Sequence, residues 1–136
     1  MGNTQICIAS VLRYIVDEKN IRKELARTWQ TVDYDRFLYN NYRAHTMDMV
    51  AKDIDKYIDR VYDTFNLPVN VTIWCESFLW SLINIVSKRI DEIMTYGYDY
   101  VMHSWQLKAE FDSLVALYAY IQSSAKRLDV FVGNMH

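Results

Sequence analysis

Residues 78–86 read FLWSLINIV, and this stretch decides the fold class. Apolar side chains occupy nearly every direction on its helical wheel, and only Ser81 and Asn84 are polar. A helix that is apolar on all sides has to be surrounded by other helices. Glu76 before the stretch and Lys88 after it, together with its short length, exclude a transmembrane helix. The stretch therefore predicts a central helix buried in a bundle.

The sequence before this stretch predicts an amphipathic helix over residues 47–65. Apolar side chains recur there at helical spacing: Met47, Val50, Ile54, Tyr57, Ile58, Val61 and Phe65. The helix has to end before Pro68, because the residue preceding a proline is pushed out of the helical region. The apolar helix then starts near Asn70 or Thr72, and Gly97 suits its C-terminal end.

The remaining helices are predicted from weaker periodicities. A first amphipathic helix covers residues 4–17, and a second covers residues 21–38 with a bend or break near residues 33–35. Residues 39–46, with two asparagines, read as a connection, although Tyr39 and Tyr42 could anchor a short helix there. A long helical region over residues 98–125 is expected to kink within residues 108–112. A short tail helix around residues 128–132 would close the fold.

Composition supports one all-α domain over residues 1–136. The 136 residues are 51% hydrophobic and 24% charged, a balance typical of globular chains rather than disordered ones. Three glycines and one proline are too few for the many tight corners of a β-sandwich or barrel. No linker or internal repeat divides the chain.

The net charge, the cysteines and the two ends of the sequence limit which partners and which location we expect. A formal net charge of -2 argues against nucleic acid, because affinity for phosphates comes largely from Lys and Arg. Cys7 and Cys75 form neither a CxxC pair nor a disulfide framework, so a reducing intracellular location is expected. The first residues lack a signal-peptide pattern and the last ones lack a hydrophobic tail. We therefore expect no secretion and no direct membrane anchor.

The sequence offers no constellation of catalytic groups. His45 and His103 are isolated, and no glycine-rich loop follows a strand, so we predict a protein without enzymatic activity, metal or cofactor. Aspartates do cluster over residues 48–63, and a carboxylate metal site is one reading of them. Lysines and an arginine are interleaved with these aspartates, which favours a solvated helix face instead.

Aromatic residues are the more informative feature. They make up 15% of the chain, with eleven Tyr and four Trp. Such side chains are enriched at binding hot spots, although we expect about half of them in the core. The others would form a groove or a dimer surface.

Two segments carry a resemblance to a known family: residues 61–65 (VYDTF) with Trp74 and Lys88, and residues 120–122 (YIQ) with residues 128–132 (LDVFV). Together they resemble the Bcl-2 family of apoptosis regulators. Residues 61–65 (VYDTF), a loop, Trp74 and Lys88 resemble that family's first homology region. Residues 120–122 (YIQ) followed by residues 128–132 (LDVFV) are similar to its second homology region, and the two occur in the same order. The likeness covers about residues 50–132, and divergent viral members of iridovirus or poxvirus type fit it, being short and lacking long loops.

The resemblance implies a Bcl-2-like bundle with a central hydrophobic helix and a groove. The groove would capture the amphipathic helix of a pro-apoptotic Bcl-2 family protein. Its expected lining is Tyr57, Ile58, Val61, Phe65, Trp74, Glu76, Phe78 and Leu79. The implied function is viral inhibition of host apoptosis, in the host cytoplasm and at mitochondria through partners. An exposed aromatic surface on a small domain also favours a homodimer.

One departure from the family changes the expected ligand. Residues 73–76 read IWCE where the family has Asn-Trp-Gly-Arg, so Glu76 replaces the arginine that pairs with the ligand's aspartate. Two carboxylates would repel each other, which predicts narrow ligand selectivity. Two alternatives therefore stay open. One is an antagonist of a host signalling adaptor that acts through a helix face or dimer surface, and the other is a structural helical bundle without a groove.

Overall fold

The computed structural model describes residues 2–65 and 71–130, without the side chains of residues 60–65 and 71–74. The described chain is all-helical, as predicted, and contains no strand. Five helices follow one another: α1 (Asn3–Trp29), α2 (Tyr34–Phe65), α3 (Val71–Met94), α4 (Tyr98–His103) and α5 (Trp105–Arg127). None of the described helices is both long enough and apolar enough to span a bilayer.

The pair α1 and α2 forms the most extensive helix–helix contact in the described chain. The predicted break near residues 33–35 is confirmed, because α1 ends at Trp29 and α2 begins at Tyr34. The carboxylate of Asp33 accepts the backbone N–H of Arg36 at 3.2 Å, which is the bonding of a helix N-cap. The predicted end of the first helix at residue 17 is wrong, since α1 continues without interruption to Trp29.

The predicted connection over residues 39–46 is also wrong, because α2 passes straight through it. Asn40, one of the two asparagines that suggested a loop, finds partners within the helix pair. The amide of Asn40 donates to the carbonyl of Arg36 at 2.9 Å, and its oxygen accepts from Arg22 of α1 at 3.0 Å. Thr46 donates its hydroxyl to the carbonyl of Tyr42 at 3.0 Å. Tertiary partners thus override the local preference of such residues for turns.

Helix α3 contains the FLWSLINIV stretch and contacts every other helix. Its inner face is buried through Phe78, Leu79, Leu82, Ile83 and Val86. The prediction that it is surrounded on all sides is wrong, because the Trp80 side chain is 41% exposed and Asn84 is exposed. Those two residues are one helical turn apart, so α3 has an outer polar stripe that happens to include one tryptophan.

Helix α5 also contacts all four other helices, and its buried residues are Ala109, Ser113, Leu114, Leu117, Ile121, Ser124 and Ala125. The kink expected within residues 108–112 occurs earlier, as a break at Ser104. The hydroxyl of Ser104 accepts the backbone N–H of Leu107 at 3.4 Å and so caps α5. Residues 128–130 are not helical and Asp129 has a φ of 53°, so the predicted tail helix does not begin there; residues 131–132 lie outside the described chain.

Candidate functional site

A groove lies between α2 and α3, with α5 as its floor. The two walls meet where the ring of Tyr57 packs against that of Phe78, with 5.9 Å between ring centroids. Farther toward the start of α2 a cavity of about 160 Å³ opens between the three helices. We call it the α2–α3 groove. Its lining residues are Tyr42, His45, Thr46, Met49, Val50, Asp53, Ile85, Arg89, Glu110 and Leu114.

The bottom of the groove is apolar. Val50 and Leu114 are buried there, as parts of the same core that holds the bundle together. Met49 on the α2 wall is 47% exposed and Ile85 on the α3 wall is half-buried. The groove thus offers apolar side chains from both walls to a visiting side chain, which is the usual composition of a binding cleft.

The rim of the groove is charged. Arg89 contacts Glu110 through Nε at 2.5 Å and Glu92 through Nη1 at 3.1 Å. The hydrogen bond to the Glu110 carboxylate raises the pKa of the Arg89 guanidinium above its usual range, and the Glu92 carboxylate raises it further. Asp53 is exposed on the α2 wall and forms no ion pair with any described side chain. The rim therefore presents one bound cation and one carboxylate that faces solvent.

One end of the groove is aromatic. The ring of Tyr42 meets Trp105 edge to face, with 5.8 Å between centroids, and it also lies 5.4 Å from the His45 ring. Trp105 is 43% exposed, so this end remains accessible to solvent. Burial raises the pKa of the Tyr42 hydroxyl, and the nearby Glu110 carboxylate raises it further.

A buried arginine fixes α2 against α1 and α5. The Arg43 side chain is 9% exposed and its Nη2 lies 3.6 Å from Glu18 of α1. Its Nε donates to Ser113 of α5 at 3.0 Å, and its Nη1 donates to the Tyr39 hydroxyl at 3.3 Å. Tyr39 in turn donates to the carboxylate of Asp112. This Arg43 network joins α1, α2 and α5 and holds the α2 wall of the groove in place.

The residues predicted to line a groove occupy different environments. Phe78 and Leu79 are buried in the core, and Tyr57 and Ile58 are half-buried against it. Glu76 is exposed. The side chains of three more, namely Val61, Phe65 and Trp74, lie outside the described residues. The structure brings Tyr57 and Phe78 together, but none of the five described ones lines the α2–α3 groove.

The groove residues that the sequence analysis missed lie nearer the start of α2 and the end of α3. Tyr42, His45, Met49 and Asp53 recur at intervals of three or four residues, which is the spacing of one helix face. This signal was present in the sequence. It was hidden because residues 39–46 were read as a connection rather than as part of the helix.

The described chain contains no group of three or more His, Cys, Asp and Glu placed to hold a metal ion. The two thiols are both buried, and burial raises the pKa of Cys7 and of Cys75. Each thiol is therefore protonated near neutral pH and is a poor nucleophile.

Comparisons with known proteins give no relative. No protein-family model matches the chain, and searches of curated proteins and of solved structures found no match either.

Proposed function

We propose that the protein binds an amphipathic helix of another protein in the α2–α3 groove, as a Bcl-2-like inhibitor of apoptosis would bind a pro-death helix. The observation that carries the proposal is the groove itself, with an apolar floor of Val50 and Leu114, apolar walls and a charged rim. This composition fits the helix-in-groove mode, in which apolar anchors enter a cleft and polar groups flank it.

The length of the groove suits such a ligand. Tyr42 and Asp53 mark its two ends on α2, and eleven residues of helix extend about 16 Å, or three turns. A ligand helix of three to four turns presents anchors at positions i, i+3 or i+4, and i+7 over that length, and the cavity of about 160 Å³ admits one of them. Met49 and Ile85 stand on opposite walls, where they would contact such anchors.

Glu76 stands where the Bcl-2 family has the arginine that pairs with the ligand's aspartate, and this difference affects which ligand can bind. Glu76 is exposed on α3 and cannot attract an acidic ligand residue. The cation of the groove is Arg89 instead, and two carboxylates already hold it. We therefore propose narrow ligand selectivity within the class of pro-death helices.

Fluorescence polarisation with a panel of labelled pro-death peptides tests the proposal. We expect at least one peptide to bind at micromolar concentration or better. Met49→Asp should weaken that binding by about tenfold, because it places a charge among the ligand's apolar anchors. Val16→Asp is the matched control, since Val16 is 55% exposed on α1 and outside the groove. Absence of binding by the whole panel would refute the binding of pro-death helices.

A second function is favoured by Trp80, which is 41% exposed on the outer stripe of α3. A large aromatic side chain among polar neighbours is a frequent anchor of protein interfaces. We propose it as the contact for a second copy or for a host signalling adaptor. Sedimentation at several concentrations, repeated with Trp80→Ser, distinguishes these partners: the variant should lose self-association if Trp80 lies in a dimer interface.

A further inference from the structure

We infer that the α2–α3 groove selects a ligand helix whose polar flank is basic. The inference rests on the proposed function and adds the chemistry of the partner. It follows from the charges at the rim of the groove, from their positions along it and from the partners they already have.

Carboxylates outnumber cations at this rim. Arg89 is the only Lys or Arg among the described lining residues, and it is bound by both Glu110 and Glu92. Of these two carboxylates only Glu110 lines the groove, where it offsets the charge of Arg89, whereas Glu92 lines a neighbouring cavity. Asp53 adds a further negative charge that no described side chain neutralises.

The unpaired negative charge lies at one end of the groove. Glu110 and Arg89 pair with each other, with 2.5 Å between the Glu110 carboxylate and Arg89 Nε. Asp53 lies eleven residues beyond Tyr42 on α2, about 16 Å away. A helix lying along the groove therefore meets an unpaired negative charge near its Asp53 end.

Lys52, the residue before Asp53 in the chain, does not neutralise the Asp53 carboxylate. Lys52 is directed to the other side of α2, where its Nζ lies 3.3 Å from Asp48. The same carboxylate binds Lys19 of α1 at 2.9 Å. Asp48 engages both lysines outside the groove, so the carboxylate of Asp53 is left for a Lys or Arg of the ligand. An acidic ligand residue would be repelled there.

The experiment uses two labelled amphipathic peptides of about 20 residues, long enough to cover the groove. They share one apolar ridge, and their polar flanks carry either only lysine or only glutamate. We expect the lysine peptide to bind the full chain about tenfold more tightly at low ionic strength, with the difference shrinking as salt is added.

Two variants locate the effect. Asp53→Lys should reduce the preference for the lysine peptide by about threefold to fivefold, the size expected for one exposed charge pair. Asp55→Lys makes the same charge change on α2 at an exposed residue outside the groove, and should leave the preference nearly unchanged.

The outcomes separate the inference from the proposed function. Equal binding of both peptides, tighter binding of the glutamate peptide, or equal effects of the two variants would overturn the inference alone. If neither these peptides nor the pro-death panel binds, the groove function itself fails and the inference fails with it.

Discussion

Two arginines of the bundle have similar partners and different exposure. Arg43 of α2 is almost completely buried, and its guanidinium is shared among partners on α1, α2 and α5. Arg89 of α3 lies at the groove, half exposed, with its partners on α3 and α5. Both arginines pair with carboxylates. Only Arg89 is exposed enough to exchange a carboxylate partner for a group of a ligand.

The comparison shows how a small bundle keeps one cleft open without losing its shape. The Arg43 network ties α2 to α1 and α5, so the α2 wall does not depend on contact with α3 for its position. Among the described residues, helices α2 and α3 share little contact beyond the packing of Tyr57 on Phe78. The Arg43 network therefore holds α2 in place while the groove between α2 and α3 stays open.

The largest effect is expected from Arg43→Met. The substitution leaves the half-buried Glu18 and the buried Ser113 without that partner, although Glu18 keeps Arg22 at 2.7 Å. We expect a loss of about 2–3 kcal/mol in the free energy of unfolding, which is less than for a fully buried ion pair because Glu18 keeps a second arginine. Urea denaturation measures it, with Arg13→Met as the exposed control. Equal values for both variants would mean that the network does not hold the helices together.

A smaller effect is expected from Arg89→Met on the groove side. Its side chain is 48% exposed, so solvent screens the ion pairs with Glu110 and Glu92. The free energy of unfolding should fall by about 1 kcal/mol or less. The same urea titration provides the value. A loss as large as that of Arg43→Met would remove the contrast between the buried arginine and the arginine at the groove.

The smallest effect concerns alkaline pH. Burial, and next the hydrogen bond to Asp112, raise the pKa of Tyr39 above its usual value near 10. Its stabilising contribution is therefore complete below pH 10 and is lost as pH rises through the raised pKa of the folded state. Tyr39→Phe cannot ionise, so its stability deficit at pH 7 should narrow above pH 10. Thermal melts of both proteins from pH 7 to 11 test this, and a constant deficit would contradict it.

The sequence predicted the fold class well because helical periodicity reports burial directly. The helix start near Asn70 or Thr72, the end near Gly97 and the break near residues 33–35 all follow from local chemistry. The prediction from sequence failed where contacts between helices determine the local structure. Asn40 looked like a loop residue, yet Arg22 on a neighbouring helix completes its hydrogen bonds. No local rule reveals such a partner.

The candidate site was harder to predict than the helices. Counting apolar residues on the wheel of α3 suggested a helix enclosed on all sides, but Trp80 lies on its outer stripe. A groove also depends on which walls separate, and that is a property of three helices at once. Met49 and Ile85 are 36 positions apart in the chain, and their residue types alone do not place them across one cleft.

The contact of α5 with all four preceding helices has a consequence for biosynthesis. A ribosome delivers α1 to α4 before α5 is complete, so the surfaces that Leu114, Leu117 and Ile121 later cover emerge bare. Nascent chains with uncovered apolar surface are prone to aggregate. This domain should thus reach its native state only after translation of its last described helix, and a chaperone that shelters the first four would raise its yield.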